Sequence, residues 1–373
     1  MATIVHLTSV HRPSDTRVFR KECRTLARAG HDVTLVVPAP ESRQKEGVQI
    51  LAVDQPTNRW MRVWRTAREV IRKGRKLEAD VYHLHDPELL PWSWALLDSQ
   101  SPRIYDMHED FVAQLQTKDW VTKPLRPLLS RVAEIGLPVF LRNRPVIFAE
   151  ASYAERYDWL RCTATVQNMP IVSDLVDIDE TKFSTPTIGY IGDIRSDRGS
   201  KVTLRALGIL QSQGYDVAWE CVGPATADHE QVLATMKDRL GVQRVQMPGY
   251  LPPEQGWRRM ARCHIGIAML EKTPNFVGSY PTKLFEYMAL GLPVVTSDIP
   301  MYRNVVEKAQ CGLVADPKNP KDVAEAVAVL IDNPNRAHRM GKRGQLAVQE
   351  SYNWEQEGRT LIEFYDTVIG ASE

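Results

Sequence analysis

Short runs rich in β-branched residues alternate with longer stretches of helical period, and the alternation occurs twice along the chain. In the first half the strand candidates are residues 3–7, 32–37, 48–53, 80–84, 103–107 and 145–149. In the second they are 187–191, 217–222, 242–247, 264–269, 293–297 and 312–315. This is βαβ grammar, which predicts parallel sheets covered by helices on both faces. The stretch 16–29 illustrates the helical partner: Val18, Phe19, Cys23, Leu26 and Ala27 recur at three-to-four spacing, and Gly30 offers a C-cap. Two sets of about six strands predict an α/β protein of two Rossmann-like domains. The 373 residues suffice for two cores. The join is expected within 168–187, a mixed polar stretch without a clear period. The expected division is 1–172, 173–351 and a closing segment 352–373, where Leu361, Ile362, Phe364, Tyr365 and Val368 fall at helical spacing.

Open α/β sheets bind ligands beyond the carboxyl ends of their strands. With two such sheets, a cleft between the domains is the expected site. Composition narrows the class only slightly: 43% hydrophobic and 25% charged residues are ordinary for a water-borne domain. No apolar run is long enough to span a bilayer, and the N-terminus enters a strand-like run without a basic n-region or cleavage site. Both point to the cytoplasm. The cysteines (Cys23, Cys162, Cys221, Cys263 and Cys311) are scattered, form no C-x-x-C pair, and read as small core hydrophobes. The net charge of +1 hides a split, because residues 1–165 carry 25 Lys and Arg against 20 Asp and Glu.

Residues 279–295 (SYPTKLFEYMALGLPVV) carry the most chemistry. Ser279 can cap a helix, Pro281 suits its first turn and Gly291 can end it. A helix start suits a phosphate, and Lys283 adds a cation there. Glu286, about one turn on, can accept two hydrogen bonds from a vicinal diol such as a ribose. The same residues also suit an ordinary amphipathic helix with Glu286 on its solvated face.

This segment resembles the nucleotide-sugar signature of family 4 retaining glycosyltransferases, which have the two-domain GT-B fold. HLTSVHRPSDTRVFRKECRTLARAGHDVTLV, DVYHLHDPELLP, RIYDMHED, TIGYIGDIRSDRG, VQMPGYLPPEQ and YNWEQEGRTLIEFYD resemble further family segments in the same order. The resemblance implies an acceptor-binding first domain, a nucleotide-sugar-binding second domain, and a C-terminal helix packed back on the first. It implies a metal-independent glycosyltransferase (EC 2.4 type) without a cofactor. The donor would be a UDP-, GDP- or dTDP-sugar, and the pathway surface polysaccharide or glycoconjugate synthesis. Glu286 matches the family's ribose-binding glutamate. The glutamate eight positions earlier is replaced by Gly278. His108, after the strand at 103–107, matches a histidine beside the donor sugar. In GDIRSDRGSK the family arginine is replaced by Asp193, which is expected to turn away or to bond Arg195 or Arg198. Arg198 retains a cation at the second family position, and Arg195 is placed to substitute at the first. These residues make His108, Arg198 and Glu286 the catalytic candidates. Gly192, Arg195, Lys201, Gly249, Tyr250, Leu251, Tyr280, Thr282 and Lys283 join Glu286 as donor-binding candidates.

His11, Asp15 and Arg17 in the first loop, with His83, His85 and Asp86 at the end of the strand at 80–84, are acceptor-side candidates; a structural role suits the last three equally. A metal is possible there on ligand type, but no ligand set demands one. A G-x-G-x-x-G fingerprint is absent from the first loop, which argues against a dehydrogenase. The alternatives are an inactive nucleotide-binding partner subunit, favoured by Gly278 and Asp193, and a nucleotide-sugar epimerase.

Residues 58–76 carry eight Lys and Arg and one acid. Arg62, Arg65, Arg68, Arg72 and Lys76 form a stripe beside Trp60 and Trp64. Lys123 and other basic residues around Leu128, Leu129 and 137–141 extend it. Such a face suits either solvent over a packed helix or an anionic membrane surface. The second use implies a peripheral enzyme with a lipid-linked acceptor. No nucleic-acid-binding pattern accompanies the stripe.

Overall fold

The computed structural model describes residues 1–96, 101–109, 112 and 126–371, divided into two compact units. The first comprises residues 1–168 and 354–373, the second residues 169–353.

The first unit is built on an eight-stranded sheet: β1 (Thr3–Leu7), β2 (Asp32–Pro38), β3 (Arg43–Lys45), β4 (Val48–Val53), β5 (Val81–Leu84), β6 (Arg103–Met107), β7 (Val146–Phe148) and β8 (Thr163–Thr165). Their spatial order is β3-β4-β2-β1-β5-β6-β7-β8, parallel except for the β3–β4 hairpin pair. Without the short edge strands β3 and β8 this is the doubly wound order, and its connections reverse direction between β1 and β5. One face of β1 and β5 buries Val5, Leu7, Tyr82 and Leu84 against Val70 and Ile71 of the Ala67–Arg75 helix. The other face carries His6 and His83, which are register partners. The first helix brings Glu22 to that face, and its opening turns Thr16–Cys23 are π-helical before α-helix resumes at Arg24–Arg28. Asp15 caps it by accepting from the N–H groups of Arg17 and Val18. The last helix, Trp354–Gly370, also belongs to this unit. Trp354 Nε1 donates to Thr25 Oγ1 at 2.9 Å, and Glu357 accepts from the Gln167 N–H at 2.7 Å.

The second unit holds six parallel strands, β9 (Thr187–Ile191), β10 (Ala218–Val222), β11 (Val245–Gly249), β12 (Ile265–Ala268), β13 (Val294–Ser297) and β14 (Gly312–Ala315). Their order, β11-β10-β9-β12-β13-β14, is again doubly wound, with its reversal between β9 and β12. Two apolar clusters cover its faces, one around Phe285, Tyr287 and Tyr302, the other around Leu207, Trp219 and Val327. Both reversal points are the places where diverging helices leave a crevice at the strand ends.

Candidate active site

In the second unit the loop after β9 turns at Gly192, whose φ of +126° favours glycine. A side chain there would also approach Lys283 Nζ to 3.0 Å. Lys283 lies in the first turn of the Thr282–Ala289 helix and is only 6% exposed. Its ammonium sits 3.8 Å above the ring of Tyr190 and has no hydrogen-bond partner among the described residues. Burial, reinforced by the nearby Arg198 charge, lowers its pKa from 10.5 to about 7. Arg198 faces the ring of Phe276 at 5.7 Å, and its buried Nε also lacks a hydrogen-bond partner among the described residues. Glu286, one turn beyond Lys283, is half-buried.

Tyrosines hold this loop. The Ile191 N–H donates to Tyr287 Oη at 2.9 Å, and the Tyr190 hydroxyl donates to the Asp193 carbonyl at 2.7 Å. The strand ends around it are in close contact. A Cβ on Gly223 after β10 would collide with the Gly192 carbonyl, and one on Gly199 would collide with the Met269 carbonyl after β12. The Gly223 N–H donates to the carbonyl of Gly249, which closes β11, so Gly249 joins the group. Tyr250 beyond it is exposed, while Leu251, Tyr280, Thr282 and Lys201 are partly buried.

Two expectations change here. Ser279 does not cap the helix: its hydroxyl donates to the Asn275 carbonyl, and the helix starts at Thr282 with Pro281 in the capping position. Proline forces the preceding residue, Tyr280, away from helical backbone, so the helix cannot begin as early as Ser279 requires. Arg195 is not free beside the loop: it forks onto Asp197, at 3.1 and 2.8 Å, on the surface. Asp193 turns its side chain to solvent.

In the first unit, His11, His85, Asp86 and His108 gather beyond β1, β5 and β6. Asp86 accepts from the Ser9 N–H at 2.7 Å and the Thr8 hydroxyl at 2.8 Å, and lies 3.4 Å from His11 Nδ1. Burial alone would lower the pKa of His11, but the Asp86 contact overrides it and raises it to about 9. Burial would likewise raise Asp86, yet His11 and the Ser9 and Thr8 donors hold it down. His108 Nε2 lies 2.6 Å from Asp106 Oδ2, and its ring centroid is 5.0 Å from that of His11.

Asp15 and Arg17 are corrected from ligand contacts to structural roles. Asp15 is the helix cap described above. Arg17 is buried, bonding Asp106 at 3.1 and 2.9 Å and the Val166 carbonyl at 2.9 Å. Three buried residues, Asp106, Glu22 and His6, had not been picked out as site candidates from the sequence, and His83 beside them was an acceptor-side candidate. Asp106 has its pKa held well down, because Arg17 and His108 outweigh burial. Glu22 is pushed up by burial and by Asp106. His6 and His83 are both kept neutral by burial. A charged residue inside an apolar helical period, and histidines inside β-branched strands, were the available signals.

Two parallel α/β units in one chain are the architecture of the GT-B glycosyltransferases. The chain aligns over 100% of both lengths with sucrose-phosphate synthase from Thermosynechococcus elongatus, at a TM-score of 0.76 and 14% identity. It aligns with Anabaena HepE in complex with UDP-glucose over 98% of this chain and 100% of that one, at 0.73 and 13%. Residues 177–347 match the profile described as glycosyl transferases group 1, and residues 16–156 that of glycosyltransferase family 4. The chain thus holds a glycosyl transferases group 1 domain and a glycosyltransferase family 4 domain. It is 25% identical to the D-inositol 3-phosphate glycosyltransferase of Nocardioides over 187 residues, 47% of this chain and 40% of that one. The chain thus spans less than half of that relative. It is 25% identical to the phosphatidyl-myo-inositol mannosyltransferase of Mycobacterium leprae over 78% of this chain and 74% of that one.

Proposed function

We propose that the chain is a retaining glycosyltransferase that moves a sugar from a nucleotide-diphosphate sugar to a hydroxyl acceptor. The observation that carries this reading is Lys283, a buried ammonium with neither a hydrogen-bond partner nor a paired carboxylate among the described residues, beside the second cation Arg198. Burying such charges without a counter-ion is costly, and a diphosphate supplies the missing charge. As the sugar–phosphate bond breaks, negative charge grows on the leaving diphosphate, and both cations stabilise it. Glu286 accepts from the ribose hydroxyls, and the backbone of Gly192 and Gly249 permits close approach of the nucleotide. His108, anchored on Asp106 through Nε2, keeps Nδ1 for a donor-sugar hydroxyl. His11 and Asp86 serve the acceptor side. The donor nucleotide is UDP, GDP or dTDP, and the transfer itself uses no metal or other cofactor. The test is release of nucleoside diphosphate when the full chain is incubated with a panel of such sugars and a membrane extract as acceptor. Release with one donor is expected, and no release with any donor would sink the reading.

A lipid-linked acceptor, with docking on the inner face of a membrane from the cytoplasm, is the finer part of the proposal. Trp60 and Trp94 are 76% and 70% exposed, and Trp64, Ile135 and Val139 are exposed as well. Arg68 and Arg72 face solvent among them. Arg62 is engaged with Glu88 at 2.8 Å, so it adds little positive charge to the surface. Lys123 and the side chains of Leu128 and Leu129 lie outside the described residues. Among the described residues no helix is long and apolar enough to cross a membrane. Binding to anionic vesicles at low salt, lost in moderate salt and reduced by Trp60→Ser with Trp64→Ser, is expected. Equal binding to neutral vesicles, or none, would contradict docking.

A further inference from the structure

The face of the first sheet that carries His6 and His83 contains a second polar centre, and the donor reading uses none of it. His83 and His85 stand two residues apart, and His6 is the register partner of His83 on the adjacent strand. Period two along one strand and pairing across to the next bring three imidazoles together. Their ring centroids lie 4.4 to 5.1 Å apart. Glu22 comes down on them from the first helix. One donor atom from each of His6, Glu22, His83 and His85 lies within 4.8 Å of the other three, and all four residues are buried.

The hydrogen bonds leave specific atoms over. His83 Nδ1 is bonded to the Tyr365 hydroxyl at 2.7 Å, and His6 Nδ1 to His85 Nε2 at 2.9 Å. His85 Nδ1 in turn lies 3.4 Å from Asp106 Oδ2. The remaining atoms, His6 Nε2, His83 Nε2 and both oxygens of Glu22, accept no hydrogen bond from the described residues. Arg17 Nε is 2.9 Å from Glu22 Oε1, but its single hydrogen points to Asp106 Oδ2. Buried polar atoms without partners are rare and cost about 1–3 kcal/mol each, so four together call for an explanation. Glu22 and Asp106 share one guanidinium, Arg17, in a fully buried cluster.

We propose that His6, Glu22 and His83 form a buried metal site for a divalent ion of the zinc class, with His85 beside them as an outer partner. Imidazole nitrogens with a carboxylate are the donors such ions take. Tyr365 and the His85–Asp106 pair orient the ligand rings through their second nitrogens, as outer partners do in metal sites. Because the site is buried, the ion enters as the chain folds, and it ties the first helix and the last helix to the strands. The site does not depend on the nucleotide-sugar reading.

The full chain is refolded in Zn2+ and, separately, in Co2+, then freed of loose metal, and its content is measured. About one zinc per chain is expected, and the cobalt form should show the visible ligand-field absorption of protein-bound cobalt. Glu22→Gln and His83→Gln should lose most of this loading, whereas His338→Gln in the second unit should retain it. Circular dichroism verifies that each variant folds. Tyr365→Phe, which keeps the packing, is expected to weaken zinc affinity about tenfold through His83. Loading below roughly one-tenth of a zinc per chain in the unaltered protein would overturn the site and leave a buried water as the partner of these atoms. Full loading in both Glu22→Gln and His83→Gln would place the metal elsewhere, and unchanged affinity in Tyr365→Phe would remove His83 as an oriented ligand.

Discussion

Lys283 holds its ammonium 3.8 Å above the ring of Tyr190, against the turn at Gly192, with no hydrogen-bond acceptor in reach among the described residues. A lysine in that position disfavours the ligand-free fold and favours an anion. The folded pKa, about 7, lies below the unfolded value of 10.5. The penalty therefore grows as pH falls from 10.5 and is complete below about 7. Lys283→Met should stabilise the ligand-free chain at pH 6, by up to a few kcal/mol, while weakening nucleoside diphosphate binding tenfold or more. Urea unfolding and calorimetric titration read the two effects, which are expected to have opposite signs.

The same lysine makes binding depend on pH. An anion needs the charged amine, so the free protein must take up a proton above about pH 7. Affinity should fall as pH rises from 7 to 9 and should be nearly flat in Lys283→Met. Arg198, Glu286 and Asp193 are the charged groups around it. Titration in two buffers of different ionisation enthalpy measures the proton uptake.

Asp106 and His108 should separate stability from turnover. Asp106 is buried and holds Arg17 by two bonds, so Asp106→Asn is expected to cost about 3 kcal/mol of stability. His108 is 17% exposed at a strand end. His108→Gln should change stability by less than about 1 kcal/mol but lower kcat/KM by about a hundredfold. Equal losses of stability in the two variants would contradict the assignment.

His11 and Asp86 set a stability window. The folded pKa of His11, about 9, lies above its unfolded 6.5, so its contribution is complete below 6.5 and is lost as pH rises through 9. Asp86 is shifted down, so its contribution is present above the ordinary carboxylate range and is lost in acid. The stability difference between the unaltered chain and His11→Gln should be about 1–3 kcal/mol at pH 6 and close to zero at pH 10, by urea unfolding at each pH.

Much of this architecture was legible because it rests on periodicity. The runs at 3–7, 48–53, 103–107, 187–191 and 312–315 became strands with those bounds, since parallel strands covered on both faces read as mostly apolar, β-branched runs. The strand Arg43–Lys45 was not legible: all three residues are exposed, and only pairing with β4 makes them a strand. Ser279 misled because a capping residue is judged locally, while Pro281 decides where the helix can start. In the site, Lys283, Arg198 and Gly192 could be picked out along the chain, but the burial of Lys283 against Tyr190 could not. The polar centre around Glu22 depends on the register of His6 with His83 and on a helix from the end of the chain. Neither is encoded at short range.

The most direct test of nucleotide-sugar binding is calorimetric titration of the full chain and of Glu286→Ala with UDP, GDP and dTDP. One of the three is expected to bind the unaltered chain, and the variant should bind it ten- to a hundredfold more weakly, the loss of a charged acceptor for two ribose hydroxyls. Binding of none of the three, or equal binding by Glu286→Ala, would contradict it.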